Sequence, residues 1–423
     1  MESTKRLTAD VIVIGGGAAG MFTAIHAARS GLRVLLLEKN PSCGKKLLIT
    51  GKGRCNVTNN CQPEDILKNV PRNGRFLFSS VNTYPPERVM AFFEENGCPL
   101  KTERGNRVFP ISDRSADVLS ALERAMHKAG VVRRQASVTR LLTEEGRVVG
   151  VAAGEERFFS RAVILATGGA SYPLTGSTGD GYRLASSVGH KIEALSGSLV
   201  PLVSGDAACV QMQGLSLRNT GFRLLNSCGK TVHTDFGELL FTHFGLSGPM
   251  ALSASAHMKQ GSAYTAVLDL KPALDEATLD ARFLRDLEKY SNRSMENALA
   301  DLYPHSLIPV LLARCGIDPA SKANALTKVQ RRALLEQTKQ FAIAISGTRP
   351  VAEAIITRGG VQVREIDPKT MRSKLVGGLY FAGEVIDCDA YTGGFNLQIA
   401  WSTAYAAAQG CASEISSEIH GEN

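Results

Sequence analysis

"ADVIVIGGGAAGMFTAIHAARSGLRVLLLEKN", residues 9–40, decides the fold of this chain. Residues 11–14 are an unbroken apolar run, suited to a parallel strand buried on both faces. Gly15, Gly17 and Gly20 follow as GxGxxG. Residues 18–30 then have helical composition, and Gly31 stops them. A second apolar run, 34–37, ends on Glu38 and Lys39. The glycines have separate tasks. Gly15 permits a tight turn, Gly17 lets the backbone at Ala18 and Ala19 approach a pyrophosphate, and Gly20 with Ala24 packs helix on strand. The helix N-terminus offers free N–H groups and partial positive charge to the phosphates. Glu38 stands 18 residues after Gly20, where it can accept from ribose hydroxyls and disfavour a 2′-phosphate. GxGxxG alone is a weak signal. A strand before it, a helix behind it and an acid ending the second strand make it a dinucleotide-binding unit.

The next stretch bears on which dinucleotide. A typical NAD domain goes on to further βα units, whereas "LLITGKGRCNVTNN" (47–60) is a loop of Gly, Lys, Arg, Cys and Asn. A flavin ring needs backbone N–H groups and cations along its N5, N1 and O2 edge. Gly51 and Gly53 allow that approach, Lys46 and Arg54 supply charge, and Cys55 and Asn56 lie beside them. Cys43, Cys55 and Cys61 are irregularly spaced and lack a local histidine, so no metal site is expected.

Further along, residues 85–96 read as a helix with Pro at its start and Gly97 at its end. "RGNRVFP" (104–110) is a compact basic–aromatic turn, and 113–130 an amphipathic helix capped by Asp113 or Ser115. Runs at 131–140, 147–153 and 156–165 predict a β-meander, on which Val138 offers its backbone to adenine. The last run ends at Ala166, Thr167 and Gly168, which should face the same nucleotide as the first glycine turn. "TGSTGDGYRLASSVGH" (175–190) is another glycine-rich loop opening a helix. Residues 195–350 lack nucleotide motifs. They read as strands, then helices at 275–289, 305–315 and 325–340, and are expected to form an inserted cap domain. The strand at 379–382 ends on Gly383 and Glu384, an acceptor for ribityl or ribose hydroxyls, and Gly394 opens a long helix. The N-terminus of that helix, with Asn396 and Leu397, aims at the crevice. The expected fold is α/β: a Rossmann-like, doubly wound parallel sheet plus a meander, formed by 1–194 and 351–423 around the insertion.

Composition sets limits. The 423 residues are 44% hydrophobic and 21% charged, with net charge +8. The positive residues are scattered in short pairs, so nucleic acid is not expected as a partner; small anionic ligands fit better. Nine cysteines without a CxxC, a polar start and no run of about 18 apolar residues point to a reduced, cytoplasmic protein without a membrane span. Oligomeric state is not legible.

The motifs "VIVIGGGAAGM", "GKKLLITGKGRCNVTN", "RVFP", "ILATGGASYP", "GSTGDGY", "GELLFTHFGLSGP" and "GGLYFAGEVIDCDAYTGGFNLQIAW" together resemble the BaiN/YhiN-type flavoproteins over essentially the whole chain. The resemblance implies non-covalent FAD and a two-part insertion capping the flavin. It also implies oxidoreductase activity, in one branch reduction of C=C bonds in 3-oxo bile acids and in another oxidation of aminoacetone with oxygen. Lys52 departs from the family pattern, which has glycine there; a lysine fits only with ordinary φ or an outward side chain.

Hydride transfer at a flavin needs no protein nucleophile, but enone reduction needs a proton donor and an electrophilic group at the carbonyl. Candidates are Tyr391, His243, Arg107 and Tyr172, with Arg107 also able to bind a carboxylate. The leading expectation is hydride transfer between flavin and a small organic substrate, with NAD(P)H as a transient donor because no second dinucleotide motif exists. An oxygen-using amine oxidase is the alternative, and a flavin-bound regulatory protein without turnover a further one. RNA modification, suggested by the basic pI of about 9.0, lacks an obvious RNA-binding extension.

Overall fold

The structure is a computed structural model that describes residues 8–421. The chain divides into two compact units, one of residues up to 197 together with 351 onward, the other Ser198–Pro350.

The first unit is built on a five-stranded sheet in the order Leu379–Phe381, Ala162–Leu165, Val11–Ile14, Val34–Glu38, Val132–Gln135. All of its pairings are parallel, with Val11 opposite both Val34 and Ala162. The four residues of Val11–Ile14 are all buried, as the unbroken apolar run requires of a strand covered on both faces. Strand order reverses at Val11–Ile14, because the chain proceeds outward to 34–38 and 132–135 on one side and to 162–165 and 379–381 on the other. A crevice therefore opens at the carboxyl ends of Val11–Ile14 and Ala162–Leu165. Two helices converge on it. Ala18–Arg29 starts from Gly17, and Phe395–Gly421 packs against it. Small residues make the approach close: a Cβ on Gly20 would stand 1.7 Å from the Gly15 carbonyl oxygen, and one on Gly383 would stand 2.7 Å from Ala19 Cβ. Trp401 fixes the second helix by donating from its indole to the Val57 carbonyl at 2.9 Å.

Two local expectations need correcting. Residues 131–140 are not one meander strand. Val132–Gln135 is the fifth strand of the parallel sheet, and the antiparallel meander consists of Arg140–Glu144, Arg147–Ala153 and Glu156–Phe159. The exposed Arg133 and Arg134 mark an edge strand rather than a hairpin arm. The helix Ser115–Lys128 has no side-chain cap. Asp113 is taken by Arg54 and Lys101, and Ser115 Oγ donates to the Leu48 carbonyl at 2.8 Å.

In the second unit, seven strands follow the order Phe341–Ile345, Tyr264–Asp269, Ser216–Asn226, Thr231–Thr242, Gly245–Ser247, Leu202–Val203, Gly347–Thr348. Neighbours are antiparallel throughout. The two outermost strands are one stretch of chain interrupted only by Ser346, so the sheet closes on itself as a barrel. Ser346 N donates to the Val203 carbonyl at 2.9 Å, and Ser204 Oγ donates to the Ala344 carbonyl at 2.6 Å. Closure removes free strand edges. Between Tyr264–Asp269 and Phe341–Ile345 the chain inserts helices that include Glu276–Lys289, Ile308–Arg314 and Lys328–Lys339. Leu279, Phe283, Leu311 and Leu334 share one core with Phe341 of the barrel. Thr327 and Gln330 start the last helix as a reciprocal capping box.

Candidate cofactor cleft

The crevice of the first unit is a long cleft whose wall begins with the glycine turn. Gly15, Gly16, Gly17, Ala18 and Ala19 line it. Gly15 has φ +103°, and a Cβ there would meet the Ala166 carbonyl oxygen at 2.5 Å. Gly17 has the opposite surroundings: a Cβ there would find no protein atom within 4 Å, so its backbone faces open cleft. The helix it caps has no side-chain cap and no acid in its first turn. Its first N–H groups are free for an anion. Gly20 does not line the cleft; its role is the helix–turn packing described above.

Glu38 also lines the cleft. One carboxylate oxygen accepts from Gly16 N at 2.6 Å, and the other from Asn40 N at 2.7 Å and Asn40 Nδ2 at 2.8 Å. It thus braces the turn as well as facing the ligand space. Beside it Lys39 donates to Asp180 at 2.5 Å. Burial acts to raise the Asp180 pKa, but bonds from Lys39, Arg183 and Thr178 outweigh it and hold the carboxyl down at about 2.

The middle of the cleft is charged. Lys46 Nζ donates to Glu384 at 2.8 Å and to Ser171 Oγ at 2.7 Å. Glu384 also accepts from Thr357 N at 2.9 Å and Ser171 Oγ at 3.1 Å, and its side chain is 13% exposed. Burial acts to raise its pKa, yet Lys46 and Thr357 prevail and keep it below the ordinary value. Val138, Ala166, Thr167, Gly168, Asn396 and Leu397 complete the sequence-derived residues on the wall. Val138 sits in the connection between two strands. The Asn396 side chain is spent on the chain itself: it accepts from Ala390 N at 2.8 Å and donates to the Ala390 carbonyl at 2.7 Å.

The loop after Lys46 is placed differently from the expectation. Gly51, Gly53, Arg54, Cys55 and Asn56 are not among the cleft-lining residues, nor are Gly383 and Gly394. Arg54 is engaged by Glu103 and Asp113 and lies 4.1 Å from the Phe109 ring centroid. Cys55 is buried, and that burial pushes its thiol up to about 12, an unreactive state. Lys52 has left-handed φ of +59° with its side chain outward, so the second of its two options holds, at a cost of roughly 1 kcal/mol.

Of the four catalytic candidates, Arg107, Tyr172 and Tyr391 are not among the residues that line the cleft of the first unit, and His243 belongs to the second unit. Arg107 is exposed and donates to the Arg104 carbonyl at 3.0 Å. Tyr172 is half-exposed with φ +53°. His243 is exposed at a hairpin turn of the second unit, edge-on to Phe244. Tyr391 lies in the segment leading to the Phe395–Gly421 helix, its N–H donating to the Asn69 carbonyl at 3.0 Å. The sequence patterns do not single out Asn40, Ser137, Cys388, Ile399 and Ala400, which line the cleft, nor any individual residue of 175–180, which supplies Thr175, Gly176, Ser177 and Asp180. The glycine pattern was a signal for the latter; nothing local marks the others.

The residues present fit FAD. Gly17 leaves the open approach a pyrophosphate requires, Glu38 offers a carboxylate at the end of the second strand, and Thr167 Oγ1 is buried without a protein partner. We expect Glu38→Ala to weaken FAD binding by about 1.5–3 kcal/mol, the worth of a charge-assisted bond, read as roughly a 10- to 150-fold rise in Kd by flavin fluorescence.

The HI0933-like protein Rossmann domain matches residues 9–410. The chain is 31% identical over 407 residues to the 3-dehydro-bile acid delta(4,6)-reductase of Clostridium scindens, covering 95% of this chain and 98% of that protein. It is also 31% identical over 408 residues to the ribosomal RNA dihydrouridine synthase of Escherichia coli, covering 95% and 97%. Among solved structures, the 3-ketosteroid-delta4-(5alpha)-dehydrogenase of Rhodococcus jostii aligns with TM-score 0.53 at 17% identity, over 97% of this chain and 98% of that one, a likeness of fold. Among the described residues no helix is long and apolar enough to cross a membrane. The cleft and these matches agree: the chain belongs to the HI0933-like Rossmann-domain family and is an FAD-dependent oxidoreductase.

Proposed function

We propose that this protein saturates a carbon–carbon double bond conjugated to a carbonyl, with NAD(P)H as electron donor. One observation carries the reading. Two relatives of equal identity that span the whole chain are named for different substrates, yet both names describe addition of hydrogen across a double bond. In a 3-oxo-4-ene and in the uracil ring alike, that bond is conjugated to a carbonyl. When bound, FAD supplies the hydride.

The protein's own residues supply the rest. Backbone N–H groups of 17–19 hold the pyrophosphate, and Glu38 holds the ribose. The N-terminus of the Phe395–Gly421 helix places positive potential on the cleft wall, which stabilises negative charge developing there. Lys46 and Glu384 fix the charged middle of the cleft. Saturation also needs a proton at the second carbon. Of the four candidates Tyr391 is favoured, because it lies in the segment that leads into the helix whose first residues, Asn396 and Leu397, line the cleft.

A second reading places the double bond in a uridine of ribosomal RNA. The full-length likeness to the ribosomal RNA dihydrouridine synthase favours it. The test is anaerobic. The flavin is reduced with NADH or NADPH and then mixed separately with a 3-oxo-4-ene steroid and with ribosomal RNA. We expect rapid reoxidation by one of them, slowed in Tyr391→Phe with FAD content unchanged. Reoxidation by neither, with amine-dependent oxygen uptake instead, would replace this reading by the oxidase one. A flavin that no donor or substrate reduces would indicate a protein without turnover.

A further inference from the structure

The glycine-rich segment 175–180 has no task in the chemistry above, yet it forms part of the cleft wall. Thr175, Gly176, Ser177 and Asp180 line the cleft. So do Lys39 and Asn40, at the end of the second strand. The two segments are tied together. Lys39 Nζ donates to Thr178 Oγ1 at 2.6 Å and to Asp180 at 2.5 Å, and Thr178 Oγ1 donates to the same Asp180 oxygen at 2.8 Å. Asn40 Nδ2 donates to the Thr175 carbonyl at 3.2 Å. These bonds join two walls of one cleft.

Little else holds the segment down. Leu174, just before it, is 96% exposed and anchors nothing. The backbone bonds at its centre are few: Thr178 N to the Gly176 carbonyl at 3.0 Å, and Gly179 N to the Gly169 carbonyl at 3.2 Å. Gly176 at φ +103° and Gly179 at φ +77° flank its centre and give it two pivots that other residues would resist. A segment with few apolar contacts and polar ties belongs to the low-stability end of a fold, where opening is cheap. Between the pivots, Ser177 is only 7% exposed and lines the cleft, so what its hydroxyl can still reach is the ligand space.

We propose that residues 175–180 are a strap across the cleft that must open for the dinucleotide to enter or leave. The Lys39–Thr178–Asp180 contact is its latch, and Ser177 is the group it presents to the ligand. The inference rests on the FAD reading of the cleft.

A latch and a simple contact differ in kinetics. A latch holds the closed form in the free protein as well as in the loaded one, so loosening it speeds both entry and exit. A contact made only with bound ligand changes exit alone. The test measures both rates by flavin fluorescence: association by mixing FAD with flavin-stripped protein, release by diluting the loaded protein. Thr178→Val is the cleaner variant, because Thr178 does not line the cleft; Lys39→Met is the second. We expect each to raise both rates about 3- to 10-fold, and the pair together to add little more, since both break one latch. Raising salt should speed both steps in the wild-type protein and much less in Lys39→Met. Ser177→Ala should speed release and leave association unchanged. Faster release with unchanged association in both latch variants would reduce them to ligand contacts and overturn the strap. Unchanged rates would overturn it outright. A protein that takes up no FAD would instead overturn the cofactor reading, and the strap with it.

Discussion

Gly17→Val is expected to abolish flavin retention while the fold stands. Gly17 has φ −80° and extended ψ, a conformation valine adopts freely, and its Cβ position meets no protein atom within 4 Å. The protein therefore loses only the small preference for glycine over valine at a helix N-cap, about 1 kcal/mol. The added methyl groups point into the cleft where a pyrophosphate would pass against the bare backbone. We expect FAD affinity to fall at least ~100-fold, about 2.7 kcal/mol, and the purified protein to be colourless with a thermal midpoint close to that of the flavin-stripped wild type. Gly20→Ala is the contrasting case. Its Cβ would stand 1.7 Å from the Gly15 carbonyl oxygen, so the turn itself must move and stability falls with binding. Yellow Gly17→Val protein at wild-type flavin content would place the dinucleotide elsewhere.

Lys46→Met should be the most damaging single change among the charged residues of the cleft. It leaves the Glu384 carboxylate facing Ser171 and the Thr357 amide with no counter-charge. Removing one partner of such a pair costs about 3 kcal/mol, because the remaining charge is neither solvated nor neutralised. Adding Glu384→Gln should recover a large part of that loss, since a neutral amide tolerates the site. The pH dependence has a definite sign. In the wild type the Glu384 pKa is held below its ordinary value, so its contribution is present above the usual carboxylate range and is lost as pH falls. Without Lys46 the burial effect prevails and the pKa shifts upward. The deficit of Lys46→Met should then be largest at neutral pH and shrink on acidification, when a protonated Glu384 needs no partner. Denaturant unfolding of flavin-stripped protein at pH 7 and pH 5 measures it. A deficit that grows in acid would mean that Lys46 does not stabilise the ionised carboxylate.

The sequence by itself determined the first two parallel strands, the glycine turn and the acid at the second strand, because each rests on a local rule. An apolar run must be buried on both faces, a GxGxxG must turn tightly into a helix, and the residue ending the next strand comes back to that turn. Residues 11–38 contain all of it. The barrel was not legible in that way. Its closure depends on Ser346 joining two strands at opposite ends of the sheet, a pairing set by partners as distant as Leu202 and Tyr264. Val132–Gln135 looked like a hairpin arm because periodicity reports an exposed strand without naming its neighbour. Only the tertiary structure showed that Glu38 braces Gly16 and Asn40, that Lys46 meets Glu384 across 338 residues, and that Arg54 turns to Glu103 and Asp113. The physical reason is common to these cases. A charged side chain at the end of a flexible stem takes the partner that long-range folding brings to it, and no pattern in the surrounding residues encodes that choice.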